Sequence, residues 1–287
     1  MSAPSDLTPP VHAITSRENP FIQRLRRLTQ DAVAYRKQGA VWLEGEHLCD
    51  AAVRRGMAPH EAVIAETAWT GQHGLSAPGD VLARALSALA RRAARVVVVP
   101  DALWKQFTGL ESPARLGFVL ALPGSAESQS ARIRPTARTV VLDRVQDAGN
   151  VGSILRSASA MGLEQVLALK GTAGLWSPKV LRAGMGAHFA LHLVEQLTLD
   201  ELDALQVPLV GTSSHADASL PVAQLPDPCG WVMGHEGQGV SVALQQRCTL
   251  TVSIPQPGGE ESLNVGAAAA VCLYESMRQR LTLTSPS

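Results

Sequence analysis

Two short apolar runs, Trp231-Val232-Met233 and Leu250 to Ile254, end at turn-forming residues, Gly234 and Pro255. Continuous apolar runs closed by Gly or Pro are the pattern of buried strands, which constrains this stretch to the interior of a sheet. A Gly-rich loop follows each strand: Gly234-His235-Glu236-Gly237-Gln238-Gly239, then Pro255 to Glu261 with Gly258 and Gly259 inside it. From Ser262 the spacing turns helical, with Leu263, Ala267, Ala270, Val271 and Tyr274 on or near one face and charges at Glu275, Arg278 and Arg280. Glycine at a strand end leaves amide and carbonyl groups bare, which suits a small ligand held by main chain. The same glycines also make ordinary turns, so composition alone leaves both readings open.

The alternation extends upstream. Apolar runs at Val140–Leu142, Val166–Leu169, Leu191–Val194 and Pro208–Val210 alternate with helical patterns at Val151–Met161, Pro178–Ala183 and Leu199–Leu205. That order predicts a mostly parallel α/β sheet covered by helices, with ligand bound in a crevice at the C-terminal ends of the strands. A second, smaller α/β pattern precedes it: helices from Pro20, from Glu46 to Arg55 and from Val81 to Arg92, and strands at Val41–Leu43, Ala62–Ala65, Val96–Val99 and Leu116–Leu120. Between the two lies PGSAESQSARIRPTA, rich in Pro, Gly and Ser without apolar periodicity. We therefore divide the chain into a polar tail over 1–12, a domain over 13–122, a linker over 123–138 and a second domain over 139–287.

The formal charge is zero, but it is unevenly spread. Residues 1–138 hold 17 Lys and Arg against 12 Asp and Glu, and residues 139–287 hold 8 against 13. A basic N-terminal half suits a polyanionic partner as well as it suits an ordinary solvated surface. Cys49, Cys229, Cys248 and Cys272 have no metal-ligand spacing, so neither zinc nor a disulfide frame is expected. No apolar run approaches the roughly 20 residues that span a bilayer, and the first residues lack a signal-peptide core, so the expectation is a cytoplasmic protein.

Three peptides carry chemistry: DAGNVGSILRSASAMG, GHEGQG and IPQPGGEESLNVGAAAAVCLYE. In this order and spacing they resemble the three motifs of the SpoU (TrmH-like) branch of the SPOUT RNA 2'-O-ribose methyltransferases. The opening Ser16-Arg17-Glu18-Asn19-Pro20 and the phrase Val41 to Gly45 are similar, more loosely, to the RNA substrate-binding domain that precedes many of them. The resemblance implies a deep trefoil knot, S-adenosylmethionine as methyl donor, an RNA substrate, a homodimer and no metal. It implies catalytic or supporting roles for Arg156, Asn150, Glu236, Ser262 and Asn264. Backbone groups at Gly234, Ile254 and Leu263, beside Asn264, would hold the cofactor.

Each role has a plainer counterpart. Asn150 and Ser262 both suit helix N-caps. Arg156 is a weak candidate for a base, because a guanidinium has a pKa above about 12. Binding the target phosphate and orienting the hydroxyl suits it better. Glu236 is a candidate partner for Arg156, since a carboxylate and a guanidinium make a bidentate contact, and is otherwise a surface Glu in a loop. Arg24, Arg26, Arg27, Arg36 and Lys37, with Lys179 and Arg182 three residues apart, are candidate RNA contacts or solvated helix faces. Three positions depart from the family pattern: Ala148 for the usual Pro, His235 for the common Asn and Gly266 for the usual Ser. The fold without turnover, as in an RNA-binding or ribosome-assembly protein, is the competing reading. A dinucleotide oxidoreductase is disfavoured because Gly234, Gly237 and Gly239 lack the G-x-G-x-x-G spacing. Large-subunit ribosomal RNA is the favoured substrate and transfer RNA the alternative.

Overall fold

The computed structural model describes residues 8–70, 80–122, 132–258 and 262–284. The chain splits into two compact units, Met1–Gly124 with Trp176–Pro178, and Ser125–Leu175 with Lys179–Ser287.

In the first unit the elements are β1 (Val11–Ala13), α1 (Pro20–Gln30), α2 (Ala34–Gln38), β2 (Ala40–Glu44), α3 (Glu46–Arg54), β3 (Glu61–Ala65), α4 (Val81–Ala90), β4 (Arg95–Val99), α5 (Asp101–Trp104) and β5 (Leu116–Ala121). They build a five-stranded sheet in the order β1-β4-β3-β5-β2. The first three of these run parallel, and β5 pairs antiparallel with both β3 and β2. The Asn19 side chain caps α1 by accepting from the Phe21 N–H, with Pro20 in the first turn. Ile22, Leu25 and Leu28 then turn inward. Phe21 is only half-buried and lies under the Arg95 guanidinium, which is 5.6 Å from its ring centre. The expected tail boundary at residue 12 falls inside β1, which pairs Val11–Ala13 with Val96–Val98. Residues 1–7 of that tail lie outside the described residues.

The second unit contains β6 (Thr139–Asp143), α6 (Ala148–Ala160), β7 (Gln165–Leu169), α7 (Pro178–Gly184), β8 (His192–Leu197), β9 (Leu209–Thr212), β10 (Ala218–Ser219), β11 (Gly230–Gly234), α8 (Val242–Gln245), β12 (Cys248–Ser253) and α9 (Val265–Thr284). Its seven strands are ordered β10-β12-β9-β11-β6-β7-β8, and every pairing is parallel. Strands β6, β7 and β11 are buried along their whole length, which is why they are apolar without alternation. From β6 the chain moves outward through β7 and β8, then crosses to β9 and later inserts β11 between β9 and β6. The direction of winding therefore changes between β6 and β11, whose last residues, Asp143 and Gly234, are paired neighbours. A crevice at such a change of direction is where open parallel sheets bind ligands.

Two expectations need correction. Of the linker, residues 123–131 lie outside the described residues, but 132–138 are bonded into the second unit. Ile133 is buried in its core, and the Arg134 N–H donates to Gln165 Oε1 at 3.1 Å. Leu199–Leu205 is not an α-helix but a 3-10 turn over Asp200–Ala204.

Candidate active site

The crevice is assembled from three segments, one behind β6, one behind β11 and one leading into α9. At the start of α6 the cap is Asp147, not Asn150: Asp147 Oδ1 accepts the Asn150 N–H at 2.7 Å. That releases the Asn150 side chain. Its Nδ2 donates to Glu236 Oε1 at 3.1 Å, and its Oδ1 accepts from Asn264 Nδ2 at 2.9 Å. Asn264 in turn caps α9, its Oδ1 accepting from the N–H groups of Gly266 and Ala267 at 2.9 and 3.2 Å. The cap expected at Ser262 is thus at Asn264, and the helix begins at Val265. Because the backbone donors fix which end of Asn264 accepts, the direction of every bond in the Asn264–Asn150–Glu236 bridge is determined.

Glu236 also accepts the backbone N–H of Asp147 at 3.0 Å and of Gln146 at 3.2 Å. Burial pushes this carboxyl upward, but the Asn150 amide and the Asp147 and Gln146 N–H groups outweigh it and bring its pKa down to about 2. Glu236 is therefore an ionised acceptor saturated by donors. The expected Glu236–Arg156 pair does not form. Arg156 lies six residues after Asn150, about 240° around the helix, so its side chain leaves from another face. It is exposed, and it lines a separate cleft of about 400 Å³ with Gly149, Ser153, Ser157, Met161 and Ala183.

The loop after β11 is closed by reciprocal backbone bonds, His235 N–H to Gly239 O at 3.0 Å and Gly239 N–H to His235 O at 2.8 Å. Gly234 is required at its base, since a Cβ there would lie 2.3 Å from both the Gly239 carbonyl carbon and the Val240 nitrogen. Two groups that sequence reasoning missed brace the loop from β6. Buried Asp143 accepts the Ser241 N–H at 2.6 Å and the Arg144 Nε at 3.1 Å. Arg144 reaches on to Gln238 Oε1 at 2.9 Å. Arg144 has φ +58°, a left-handed backbone that costs a non-glycine residue of order 1 kcal/mol and is found at functional sites. Neither role has a signature in the one-dimensional pattern.

The loop after β11 and the segment leading into α9 enclose a cavity of about 490 Å³ lined by Gly234, Glu236, Ile254, Ser262, Leu263 and Asn264, together with Thr212, Ser213, Gln245 and Gln256, and the segment behind β6 stands outside its lining. The volume lies within the roughly 300–1,000 Å³ of small-molecule sites. Gln256 Oε1 is buried there without a hydrogen-bond partner among the described residues. An orphaned acceptor, a bare glycine edge and apolar side chains at Ile254 and Leu263 fit a nucleoside with amino and hydroxyl donors, such as S-adenosylmethionine. Among the described residues no His, Cys, Asp and Glu group could hold a metal ion.

The basic residues are scattered. In the first unit, Arg24 is half-buried, 3.7 Å from buried Glu61 and 3.2 Å from Gln38 Oε1. Arg26 is half-buried, whereas Arg27, Arg36 and Lys37 are exposed, with the Arg36 guanidinium over the Tyr35 ring. In the second unit Lys179 is exposed and Arg182 half-buried on α7.

Residues 137–274 match the SpoU rRNA Methylase family. The chain is similar to an uncharacterized tRNA/rRNA methyltransferase of Synechocystis, 30% identical over 98% of each chain. It is equally similar, 30% over 97% of each, to the 23S rRNA (uridine(2479)-2'-O)-methyltransferase of Streptomyces viridochromogenes. Among solved structures, the SpoU methyltransferase AviRb of that organism in complex with AdoMet superposes with a TM-score of 0.77 at 27% identity, over 92% of this chain and 99% of that one.

Proposed function

The chain belongs to the SpoU rRNA Methylase family, and from that premise we propose that it methylates a ribose 2'-hydroxyl in 23S ribosomal RNA with S-adenosylmethionine as donor. The observation that carries this is the Asn264–Asn150–Glu236 bridge, which ties all three motifs together beside a nucleoside-sized cavity that Glu236 and Asn264 line. The names of the relatives, ribosomal RNA 2'-O-methyltransferases for the most part, favour rRNA over transfer RNA.

The cofactor supplies a methyl group already activated by its sulfonium, so alignment is the main task left to the protein. Main-chain groups at Gly234, Ile254 and Leu263 hold the adenosyl part, with Ser262 and Asn264 as polar neighbours. Glu236, ionised and saturated, keeps the loop and Asn150 fixed rather than taking a proton. Arg156, exposed in its own cleft beside Ser153, binds the phosphate next to the target ribose and orients the hydroxyl. Arg26, Arg27, Arg36, Lys37, Lys179 and Arg182 contact the RNA backbone, while Arg24 is engaged by Glu61 and Gln38. An apolar groove of about 400 Å³ between Met161, Leu220, Val271 and Tyr274 supports a homodimer, because Val271 and Tyr274 are 42% and 53% exposed. The trefoil knot belongs to the same reading, supported by the insertion of β11 between strands formed earlier in the chain. No helix among the described residues is long and apolar enough to cross a membrane, in keeping with work in the cytoplasm.

The test is incubation with labelled S-adenosylmethionine and separate rRNA and tRNA pools, followed by mapping of ribose methylation. Label in 23S rRNA is expected; binding of cofactor without transfer to any RNA would favour the non-catalytic reading. Arg156→Ala should abolish transfer and leave cofactor affinity within a few-fold. Near-normal turnover would refute its assignment.

A further inference from the structure

His235 is the departure in the second motif that the reaction leaves unexplained. Its ring Nδ1 sits 3.0 Å from the Gly237 backbone nitrogen and 3.2 Å from that of Gln238. Both partners are N–H donors, so Nδ1 must be the unprotonated nitrogen and the neutral ring carries its hydrogen on Nε2. The imidazole thereby satisfies two amides of a tight loop that the paired His235 and Gly239 backbone groups close. The next residue in that loop is Glu236, and Gln238, whose amide His235 captures, is the residue that Arg144 holds from β6.

We propose that His235 is a positioning residue: as the neutral imidazole it sets the loop that presents Glu236 and the Gly234 edge to the cofactor, and a proton on Nδ1 releases that loop. The proposal rests on the assignment of the cavity to S-adenosylmethionine. An asparagine at this position offers an acceptor, Oδ1, at the same remove from the backbone as Nδ1. The common Asn and this His therefore perform the same capping, but only the His acceptor is lost when a proton binds. The charged groups on the elements joined to the loop are Glu236, the Asp143–Arg144 pair and Asp147. Glu236 stays ionised across the range where imidazoles change charge, since donors hold it near 2.

The experiment is calorimetric binding of S-adenosylhomocysteine to the full chain between about pH 8 and pH 5, the interval over which imidazole chemistry changes. Wild type should lose affinity on acidification. His235→Asn should bind at about pH 8 within roughly threefold of wild type and keep that affinity in acid, because its acceptor cannot be protonated. His235→Ala should bind about tenfold more weakly at every pH, having lost two loop bonds. A flat wild-type profile, or the same acid loss in His235→Asn, overturns the proposal while leaving the cavity assignment standing. Failure of the wild type to bind at any pH overturns both.

Discussion

Replacing Asn150 by Asp changes one atom's identity and little of its shape, so it isolates the electrostatics of the bridge. The amide nitrogen that donates to Glu236 at 3.1 Å becomes a carboxylate oxygen facing another carboxylate. Two unit charges about 4 Å apart repel by about 1 kcal/mol in water and about 4 kcal/mol at the effective dielectric of a protein surface. The bridge lies on the exposed side of that range, so repulsion of about 1–2 kcal/mol is expected, together with about 1 kcal/mol for the lost hydrogen bond. At 2–4 °C per kcal/mol for a domain of 150–250 residues, Asn150→Asp should melt roughly 5–10 °C below wild type at neutral pH. Asn150→Ala loses both side-chain bonds but gains no repulsion, so it should lie between them.

The pH dependence supplies the sign. In wild type the folded Glu236 value, about 2, is below its ordinary 4.5, so its contribution is present above pH 4.5 and lost as pH falls toward 2. In Asn150→Asp the two carboxylates raise one another's pKa; a repulsion of about 1–2 kcal/mol corresponds to about 0.7–1.5 pH units, so a shared proton relieves the strain as pH falls from about 5.5 toward 4. Thermal melts at several pH values, with S-adenosylhomocysteine affinity measured alongside, test this. An Asp variant as stable as the Ala variant at neutral pH, or one whose deficit does not shrink in acid, would refute the electrostatic account.

Two further outcomes follow from packing. Burial pushes His188 down to about 4, against the pull of its Nε2 bond to the Leu175 carbonyl. Its folded value lies below the unfolded one of 6.5, so the fold should lose about 3 kcal/mol as pH falls from 6.5 to 4. Denaturant titration should show a flatter profile over that window for His188→Gln, which has no proton to take up. Gly152 on α6 faces α7 so closely that a Cβ would lie 2.3 Å from Ala183 Cβ and 2.8 Å from its carbonyl carbon. Gly152→Ala should therefore destabilise by about 1–3 kcal/mol despite its gain of about 1 kcal/mol in helix propensity, a result that unfolding midpoints would check.

The central strands of the second unit were legible because burial on both faces writes itself as uninterrupted Val, Leu, Trp and Met. The three motifs were legible as peptides, and the cavity does gather Gly234, Glu236, Ile254, Ser262, Leu263 and Asn264. The caps were not. Asp147 and Asn150 are both good capping residues, as are Ser262 and Asn264, and only the backbone dihedrals decide where each helix begins. The Arg156–Glu236 pairing misread charge complementarity as proximity, without the rotation that separates Arg156 from Asn150. Strand β1 was hidden because it is a three-residue edge, made a strand by its partner Val96–Val98 rather than by its own composition. Arg144 was invisible because a left-handed backbone leaves no trace in residue type when the residue is not glycine.

The contact that completes the bridge joins residues 114 positions apart, Asn150 and Asn264. Such closures come late in folding, since chain entropy must be overcome before distant partners reward one another. A nascent chain can therefore finish most of its parallel sheet before the bridge closes. The proposed site is complete only once Asn264 is in place, so fragments ending before it should lack the bridge and show no methyl transfer.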